Sequence, residues 1–421
     1  MSAAGDVIVV GAGTCGLATA LGLARRGVRV HVVEQRHDPA QLVTGRPSIN
    51  LTLGVRGLDA LSDLGLAERV MELGVQARAR HIHTRSGESL VRPYGNNGEA
   101  ILSLRRTDLV GLLLQAARAE KRISIQFGAR VLRAEPDGSV VVGCGGAQTE
   151  LRADLVVGAD GLNSRVRRTV CEVTGSVGAD PQPTGTRWLE LEVSGPWPGS
   201  AADAVDVWPY DPLMLIAFPN RNSAKTVLLF APQGVAFPDF EEFKQTVTGL
   251  PIDRVAYETS LRNQDEVRVV RCPTWHAGRL CIAGDAAHAM APYLGQGANA
   301  ALADARELGA LVDDAAEWED VGRRFEAARR PEMECLARLT DQHFDELSRN
   351  MGDREAALRR DLRLLLAAYF PGRFQPIYNR VAFSRVSLRE AERSHSAEES
   401  VLDEVLGTVF RTVGQIKDDV N

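Results

Sequence analysis

The chain has 421 residues, 44% apolar and 25% charged, the balance of a globular protein long enough for two or three domains. Its net charge of −6 gives no electrostatic case for nucleic acid or an anionic membrane surface. Six cysteines (Cys15, Cys144, Cys171, Cys272, Cys281, Cys335) show no C-x-x-C or Cys/His ligand spacing, so neither a metal site nor a disulfide framework is expected.

The opening "MSAAGDVIVVGAG" runs from a short apolar stretch into a glycine turn, without the basic start and long apolar core of a signal peptide. No apolar run approaches the roughly 18 residues of a membrane span. A soluble, cytoplasmic protein is expected. "DVIVV" reads as a fully buried strand, "TCGLATALGLARRG" as a helix ending at Gly27, and "VRVHVVE" as a second strand. Arg56 to Glu72 and Thr107 to Lys121 read as amphipathic helices. "ISIQFGARVLRAEPDGSVVVGCGG" reads as a strand followed by a hairpin turning at Asp137-Gly138. "ADLVVGADG" is another apolar strand closing on a glycine turn. From about Gly185 to Phe230 the segments "TRWLELEV", "DVWPY", "LMLIAFPN" and "KTVLLFAP" suit a mostly antiparallel sheet. "LCIAGD" returns to the buried parallel type, and the remainder reads helical. The alternation predicts an α/β fold: a Rossmann-like dinucleotide-binding domain with an inserted antiparallel β-sheet domain and a C-terminal helical region.

Three stretches carry chemistry. In the first, Gly11-x-Gly13-x-x-Gly16 follows a strand and opens a helix, with Glu34 at the end of the next strand. Gly11 allows the tight turn, Gly13 lets backbone approach a pyrophosphate, and Gly16 lets helix pack close on strand. The helix N-terminus faces the diphosphate and Glu34 accepts from ribose hydroxyls, which favours an unphosphorylated ribose such as that of FAD or NAD. In the second, Asp160-Gly161 lies between a strand and a helix start. The third is "LCIAGDAAHAMAPYLGQGANAALAD". Here Gly284 and Asp285 leave a strand, Asp285 placed for a ribose or a diphosphate edge. Pro292 turns the chain, and Gly295-Gln296-Gly297 starts a long helix whose free N–H groups face an anion or a polarised carbonyl.

These three motifs, in this order and spacing, resemble the flavoprotein aromatic hydroxylases of the para-hydroxybenzoate hydroxylase type, and the resemblance spans nearly the whole chain. It implies a glutathione-reductase-type FAD domain built from residues 1–72, 96–178 and 267–330. It further implies a β-sheet substrate domain from 73–95 and 179–266 and a helical region over 331–421. The implied cofactor is non-covalent FAD, reduced by NADPH or NADH and reacting with O2, so that a small aromatic ring is hydroxylated through a flavin hydroperoxide. The flavin carries the chemistry, so no acid/base or nucleophile motif and no metal is expected. The second glycine-rich helix, with Pro292, Gly295, Gln296, Gly297 and Asn299, then addresses the ring of the same FAD. Gly11, Gly13, Gly16, Glu34, Arg106, Asp160, Gly284 and Asp285 hold the rest of that cofactor. Flavin halogenases share the scaffold, but the W-x-W-x-I-P run of tryptophan-type members is missing.

A narrower resemblance is to the kynurenine 3-monooxygenases, carried by "GRPSINLTLGVRG", "RARHIH", "RPYG", "ILSLRRTDL", "VDVWPYDPLMLIAFPN", "PYLGQGANA" and "PIYNRVAFSR". It implies that Arg80 and Tyr94 hold the amino-acid end of the substrate, Arg80 offering the bidentate fork a carboxylate needs. The pattern departs at Leu388, where the family has a tyrosine, and at Gly352, with Asn350 nearby, where it has an asparagine. An anthranilate-like or other aromatic intermediate of secondary metabolism therefore stands beside kynurenine as substrate. His288 reads as a hydrogen-bonded loop histidine, Cys15 as a small filler, and "REAALRRDLR" as the wet face of a helix. Val401, Leu402, Val405, Leu406, Val409, Phe410 and Val413 form a stripe suited to packing on the body or on a partner in a homodimer.

Overall fold

Short runs of β-branched residues with no polar alternation must be buried on both faces, and three of them, Asp6–Val10, Leu155–Gly158 and Leu280–Ile282, form the centre and one flank of a parallel sheet whose other strands, Arg29–Val33 and Ile123–Gln126, alternate with polar residues. In the computed structural model, which describes residues 5–39, 49–83, 89–95, 98–178, 180–195, 201–210, 212–247, 251–314, 317–348, 354–371 and 373–420, the order is Ile123–Gln126, Arg29–Val33, Asp6–Val10, Leu155–Gly158, Leu280–Ile282. His276–Ala277 adds an antiparallel edge. Val7, Val9, Leu155, Val157, Leu280 and Ile282 are fully buried, and helices Thr14–Ala24 and Gly297–Asp314 pack on one another beside them.

The second sheet has seven strands in the order Asp265–Val269, Gln182–Val193, Lys225–Pro232, Leu213–Pro219, Ala204–Tyr210, Ala79–His83, Ser89–Pro93. All neighbours are antiparallel except Ala204–Tyr210 with Ala79–His83. Period-two alternation sorts its faces. Leu189, Leu191, Leu215, Val227 and Leu229 pack with Phe243 and Tyr257 of helices Phe240–Thr246 and Arg254–Arg262. Trp188, Met214, Ile216, Phe218, Leu228 and Phe230 form the opposite face and meet Ala291 and Tyr293 of the third motif.

A small antiparallel sheet, Asn50–Leu53, Ile101–Arg105 and Val75–Ala77, lies between these layers. It is tied to the large sheet by a buried relay. Asn50 Nδ2 donates to Ser103 Oγ (2.8 Å), Thr226 Oγ1 to Asn50 Oδ1 (2.9 Å), and Asn220 Nδ2 to Thr226 Oγ1 (2.8 Å). Helices Trp318–Ser348, Arg354–Tyr369, Ile377–Phe383 and Leu388–Val420 complete the chain.

Several boundaries differ from the sequence reading. The first helix ends at Ala24, and Gly27, at φ +88°, supplies the turn after it. The helix expected over Arg56 to Glu72 is two helices, Val55–Asp63 and Ala67–Leu73, broken where Gly65 adopts φ +65°. Along the C-terminal stripe Leu402 and Leu406 are buried while Val409 and Phe410 are exposed. No helix among the described residues is long and apolar enough to cross a membrane, and no group of described side chains could hold a metal. The cysteines are free.

Candidate active site

The first glycine loop uses its missing side chains in three different ways. Gly11 sits at φ +106°, and a Cβ there would lie 2.5 Å from the Ala159 carbonyl oxygen. A Cβ on Gly16 would lie 1.9 Å from the Gly11 oxygen, so these two glycines allow backbone to touch backbone. A Cβ on Gly13 would meet nothing within 4 Å. Gly13 is thus the position where the loop lies open, at the uncapped N-terminus of helix Thr14–Ala24. Glu34 accepts from the N–H groups of Ala12 (2.7 Å) and Arg36 (2.8 Å), which fixes its carboxylate at the loop.

The third motif is brought against the first. A Cβ on Gly284 would lie 3.0 Å from Cys15 Sγ, and Gly284 itself holds φ +61°. Asp285 is exposed and makes no side-chain hydrogen bond among the described residues. Pro292–Leu294 forms one 3-10 turn, Gly295 turns back at φ +63°, and Gly297 opens the long helix with free space where a Cβ would stand. Gln296 donates to the Leu294 carbonyl (3.3 Å). Asn299 bridges outward from the turn: its Oδ1 accepts from the Gly54 N–H (2.8 Å), and its Nδ2 donates to the carbonyls of Thr52 (2.8 Å) and Gly295 (3.2 Å).

Below the turn lies a buried ion network. Asp304 accepts from the Gly284 N–H (2.9 Å), His288 Nε2 (2.6 Å) and Arg329 Nε (2.8 Å). Burial opposes its charge, but His288, Arg329 and that N–H together hold its carboxyl at about 2. His288 is hydrogen-bonded as expected, but it ends the short helix Asp285–His288 instead of lying in a loop. Asp304 and Arg329 were not singled out in the sequence, since nothing in the local pattern marks residues so far from the turn they support.

The second motif ends in a helix cap. Asp160 accepts from Ser164 Oγ (2.5 Å) and the Arg165 N–H (2.6 Å), and Ser164 Oγ accepts from the Arg167 N–H. Arg167 is fully buried and donates to the carbonyls of Ala286 (2.9 Å) and Leu162 (2.6 Å), so the second motif is fastened to the third. Arg106 begins helix Arg106–Ala119 with an exposed side chain. Near it, on the inner face of the large sheet, burial pushes the Glu190 carboxyl up to about 7; Arg106 opposes the shift and Glu192 adds to it.

Arg80 and Tyr94 come together at the far end. The hairpin places Arg80 opposite Arg92, and Tyr94 follows two residues later, its N–H on the Arg78 carbonyl (2.9 Å). Arg78 is exposed and reaches the Gly98 carbonyl, whereas Arg80 is partly buried, with Cζ 4.7 Å from the Tyr94 ring centre. On its other side, at 4.2 Å, stands Tyr378 of helix Ile377–Phe383. Burial opposes the charge on Arg80, but the two tyrosine oxygens outweigh it and its pKa rises. Tyr378 lies within the quoted "PIYNRVAFSR", yet only the folded chain pairs it with Arg80. Ile216 and Phe218 touch both the Tyr94 cluster and the Phe230–Ala291–Tyr293 cluster, so one apolar wall runs from Arg80 to the turn at Pro292. Leu388 is buried in the main core, where its carbonyl accepts from Cys335 Sγ. Gly352 and Asn350 lie outside the described residues. A separate cleft of about 300 Å³, lined by Trp275, His288, Met290, Met333 and Arg338 among others, contains none of Arg80, Tyr94 and Tyr378.

The chain matches the FAD binding domain family over residues 4–317. It is 32% identical to kynurenine 3-monooxygenase of Myxococcus xanthus and 30% identical to that of Sus scrofa. Each match covers 95% of this chain, with 90% and 88% of the relative. The chain belongs to the kynurenine 3-monooxygenase family of FAD-dependent aromatic hydroxylases. Among solved structures it is similar to Klebsiella pneumoniae HpxO complexed with FAD and uric acid, with TM-score 0.70, 21% identity, and 92% and 97% of the two chains covered. It also resembles 2-methyl-3-hydroxypyridine-5-carboxylic acid oxygenase, with TM-score 0.68, 23% identity, and 84% and 95% covered. These structural likenesses confirm the doubly layered fold. The open cradle at Gly13, the free Asp285 carboxylate and the open helix start at Gly297 fit the FAD of this family.

Proposed function

We propose that this chain hydroxylates an aromatic carboxylic acid, kynurenine or a kynurenine-like aromatic amino acid, using NADPH or NADH and O2. The observation that carries this reading is Arg80 stacked between Tyr94 and Tyr378 at one end of an apolar wall whose other end is the Ala291–Tyr293 turn. Bound FAD supplies the redox chemistry and the activation of O2.

The chain's own residues bind, orient and exclude water. Gly13 and the free N–H groups of helix Thr14–Ala24 hold the diphosphate, and Asp285 and Glu34 hold hydroxyls. The helix starting at Gly297 offers N–H groups to negative charge on the flavin pyrimidine. Arg80 clamps the carboxylate, Tyr94 adds a hydrogen bond at the same end, and Ile216, Phe218 and Phe230 keep the ring in a dry slot against the cofactor. Residues 1–72, 96–178 and 267–330 thus serve the cofactor, and 73–95 with 179–266 serve the substrate. An anthranilate-like substrate is the second reading. It is favoured by Leu388, which offers no hydroxyl where the family has one.

Arg80→Ala tests the clamp. Charge-assisted hydrogen bonds in a partly dry pocket are worth about 1.5–3 kcal/mol, so the substitution should weaken substrate binding roughly ten- to over a hundredfold with flavin content unchanged. The measurement is substrate-stimulated NAD(P)H oxidation, with product quantified, across kynurenine, anthranilate and 3-hydroxyanthranilate. Unimpaired turnover by the variant would remove the clamp.

A further inference from the structure

The helix of the second motif meets the approach to the third at two cysteines. Helix Arg165–Thr174 carries Cys171 one turn beyond Arg167, and Cys272 follows strand Asp265–Val269. Their Sγ atoms lie 3.6 Å apart, and both residues are buried in the core beneath the parallel sheet. The Cys272 thiol donates to the Thr274 carbonyl (3.0 Å), which leaves its sulfur lone pairs to Cys171. Cys272 also lines the cleft of about 300 Å³ beside Trp275, the approach for a water-sized oxidant. The two cysteines are 101 residues apart, and the chain between them holds five of the seven strands of the large sheet.

We propose that Cys171 and Cys272 form a peroxide-responsive dithiol site, whose disulfide staples the inserted sheet to the parallel-sheet body at its base. A Cys272 thiolate attacks hydrogen peroxide, the O–O bond breaks, and Cys272 sulfenic acid and one water form. The Cys171 sulfur then attacks the Cys272 sulfur, the S–O bond breaks, and a second water leaves. The two sulfurs together give two electrons to the peroxide, and both thiol protons end in water. Burial holds the Cys272 thiol well above its ordinary range, the neighbouring Cys171 adds to this, and Arg167 opposes it only in part. Little thiolate is present at neutral pH, so the pair rests reduced and responds slowly. Proximity supplies the selectivity. A second thiol in contact captures the sulfenic acid before another peroxide carries it on to sulfinic acid. The resulting tie closes a long loop, which takes more freedom from the unfolded chain than from the native one. Neither step uses Arg80, Tyr94 or the flavin, so the site stands apart from the substrate reading.

The test treats holoenzyme carrying Cys144→Ser, which removes the exposed thiol, with hydrogen peroxide. Intact mass should fall by two hydrogens per chain, and unreduced peptide mapping should find Cys171 joined to Cys272. Dithiothreitol should restore both thiols. The oxidised form should melt a few degrees above the reduced form. Cys171→Ala should abolish the joined peptide and the rise in Tm, and leave Cys272 to gain oxygen instead. Cys272→Ala should abolish both effects. Flavin content checks the folding of these variants, and the joined peptide is read on the unsubstituted pair, so the test stands even if an alanine variant fails to fold. Two free thiols after peroxide treatment that oxidises Cys144 in the parent would overturn the site. So would oxygen added to either sulfur of the intact pair. A joined peptide with no rise in Tm would overturn the staple.

Discussion

Glu190 shows how one residue can carry a measurable consequence of its surroundings. On strand Gln182–Val193 it points away from Leu189 and Leu191, onto the face that meets Ala291 and Tyr293, and its Oε1 is buried without a partner. Its carboxyl ionises near 7 in the folded protein against an ordinary value of 4.5. The folded state therefore binds the proton more tightly than the unfolded chain. The stability this gives is complete below about pH 4.5 and is lost as pH rises through about 7. Glu190→Gln keeps the shape and removes the ionisation, so flavin-free parent and variant should match in denaturant stability near pH 4. At pH 8.5 the variant should be ahead by roughly 1–3 kcal/mol. A pH-independent difference would show that Glu190 is solvated. Residues of this kind were invisible in the sequence: "TRWLELEV" shows that Glu190 and Glu192 share a face, but not that the face is closed over. The glycines were legible because their spacing states a backbone requirement. Tyr378 and Asp304 were not, since each gains its meaning from a partner brought in by tertiary packing.

At the scale of elements, the turn before helix Gly297–Asp314 depends on a strand from elsewhere in the chain. Asn299, 1% exposed, spans from its helix to Gly54 and Thr52 at the end of strand Asn50–Leu53. The approach is close: a Cβ on Gly295 would lie 2.3 Å from Thr52 Oγ1, and one on Gly57 would lie 2.5 Å from Asn299 Oδ1. Asn299→Leu keeps the γ-branched outline, with slightly more bulk, but strands the Gly54 N–H and the Thr52 carbonyl away from water. The expected loss is roughly 2–4 kcal/mol in urea unfolding, together with weaker flavin retention. A variant as stable as its parent would mean that water replaces the amide. The strand Asn50–Leu53 was not read as an element, because four residues carry too little period to separate a strand from a loop. The Asp137-Gly138 hairpin was readable because the turn chemistry is local, with Gly138 at φ +89°. The split at Gly65 was missed because both helices that flank it continue the same apolar stripe.

At the scale of the whole molecule, the proposed reading assigns cofactor and substrate recognition to different parts of the chain. In the proposed assignment the cradle uses Gly11 to Glu34 and Gly284 to Asn299, whereas the clamp uses strand Ala79–His83, Tyr94 just beyond strand Ser89–Pro93, and Tyr378 of helix Ile377–Phe383. On that assignment FAD joins segments that are remote in sequence, and its binding should stabilise the native state as a whole. For a ligand that binds only the folded protein, a hundredfold excess over Kd adds about 2.7 kcal/mol. In a chain of this size that is a rise of a few degrees in Tm. Gly13 and Gly16 divide the two roles of the loop. A valine at Gly16 would press its Cβ into the Gly11 carbonyl and should cost the fold itself. A valine at Gly13 enters open space, so Gly13→Val should keep the apoprotein Tm within a degree or two while losing flavin to below about a tenth of parental occupancy. The decisive measurement is Tm against added FAD for parent, Gly13→Val and Arg80→Ala. Parent and Arg80→Ala should rise together, because Arg80 stands outside the cradle, and Gly13→Val should stay flat. A full rise in Gly13→Val would place the pyrophosphate elsewhere. A flat Arg80→Ala would show that the clamp and the cradle are one cooperative unit rather than two sites on a shared frame.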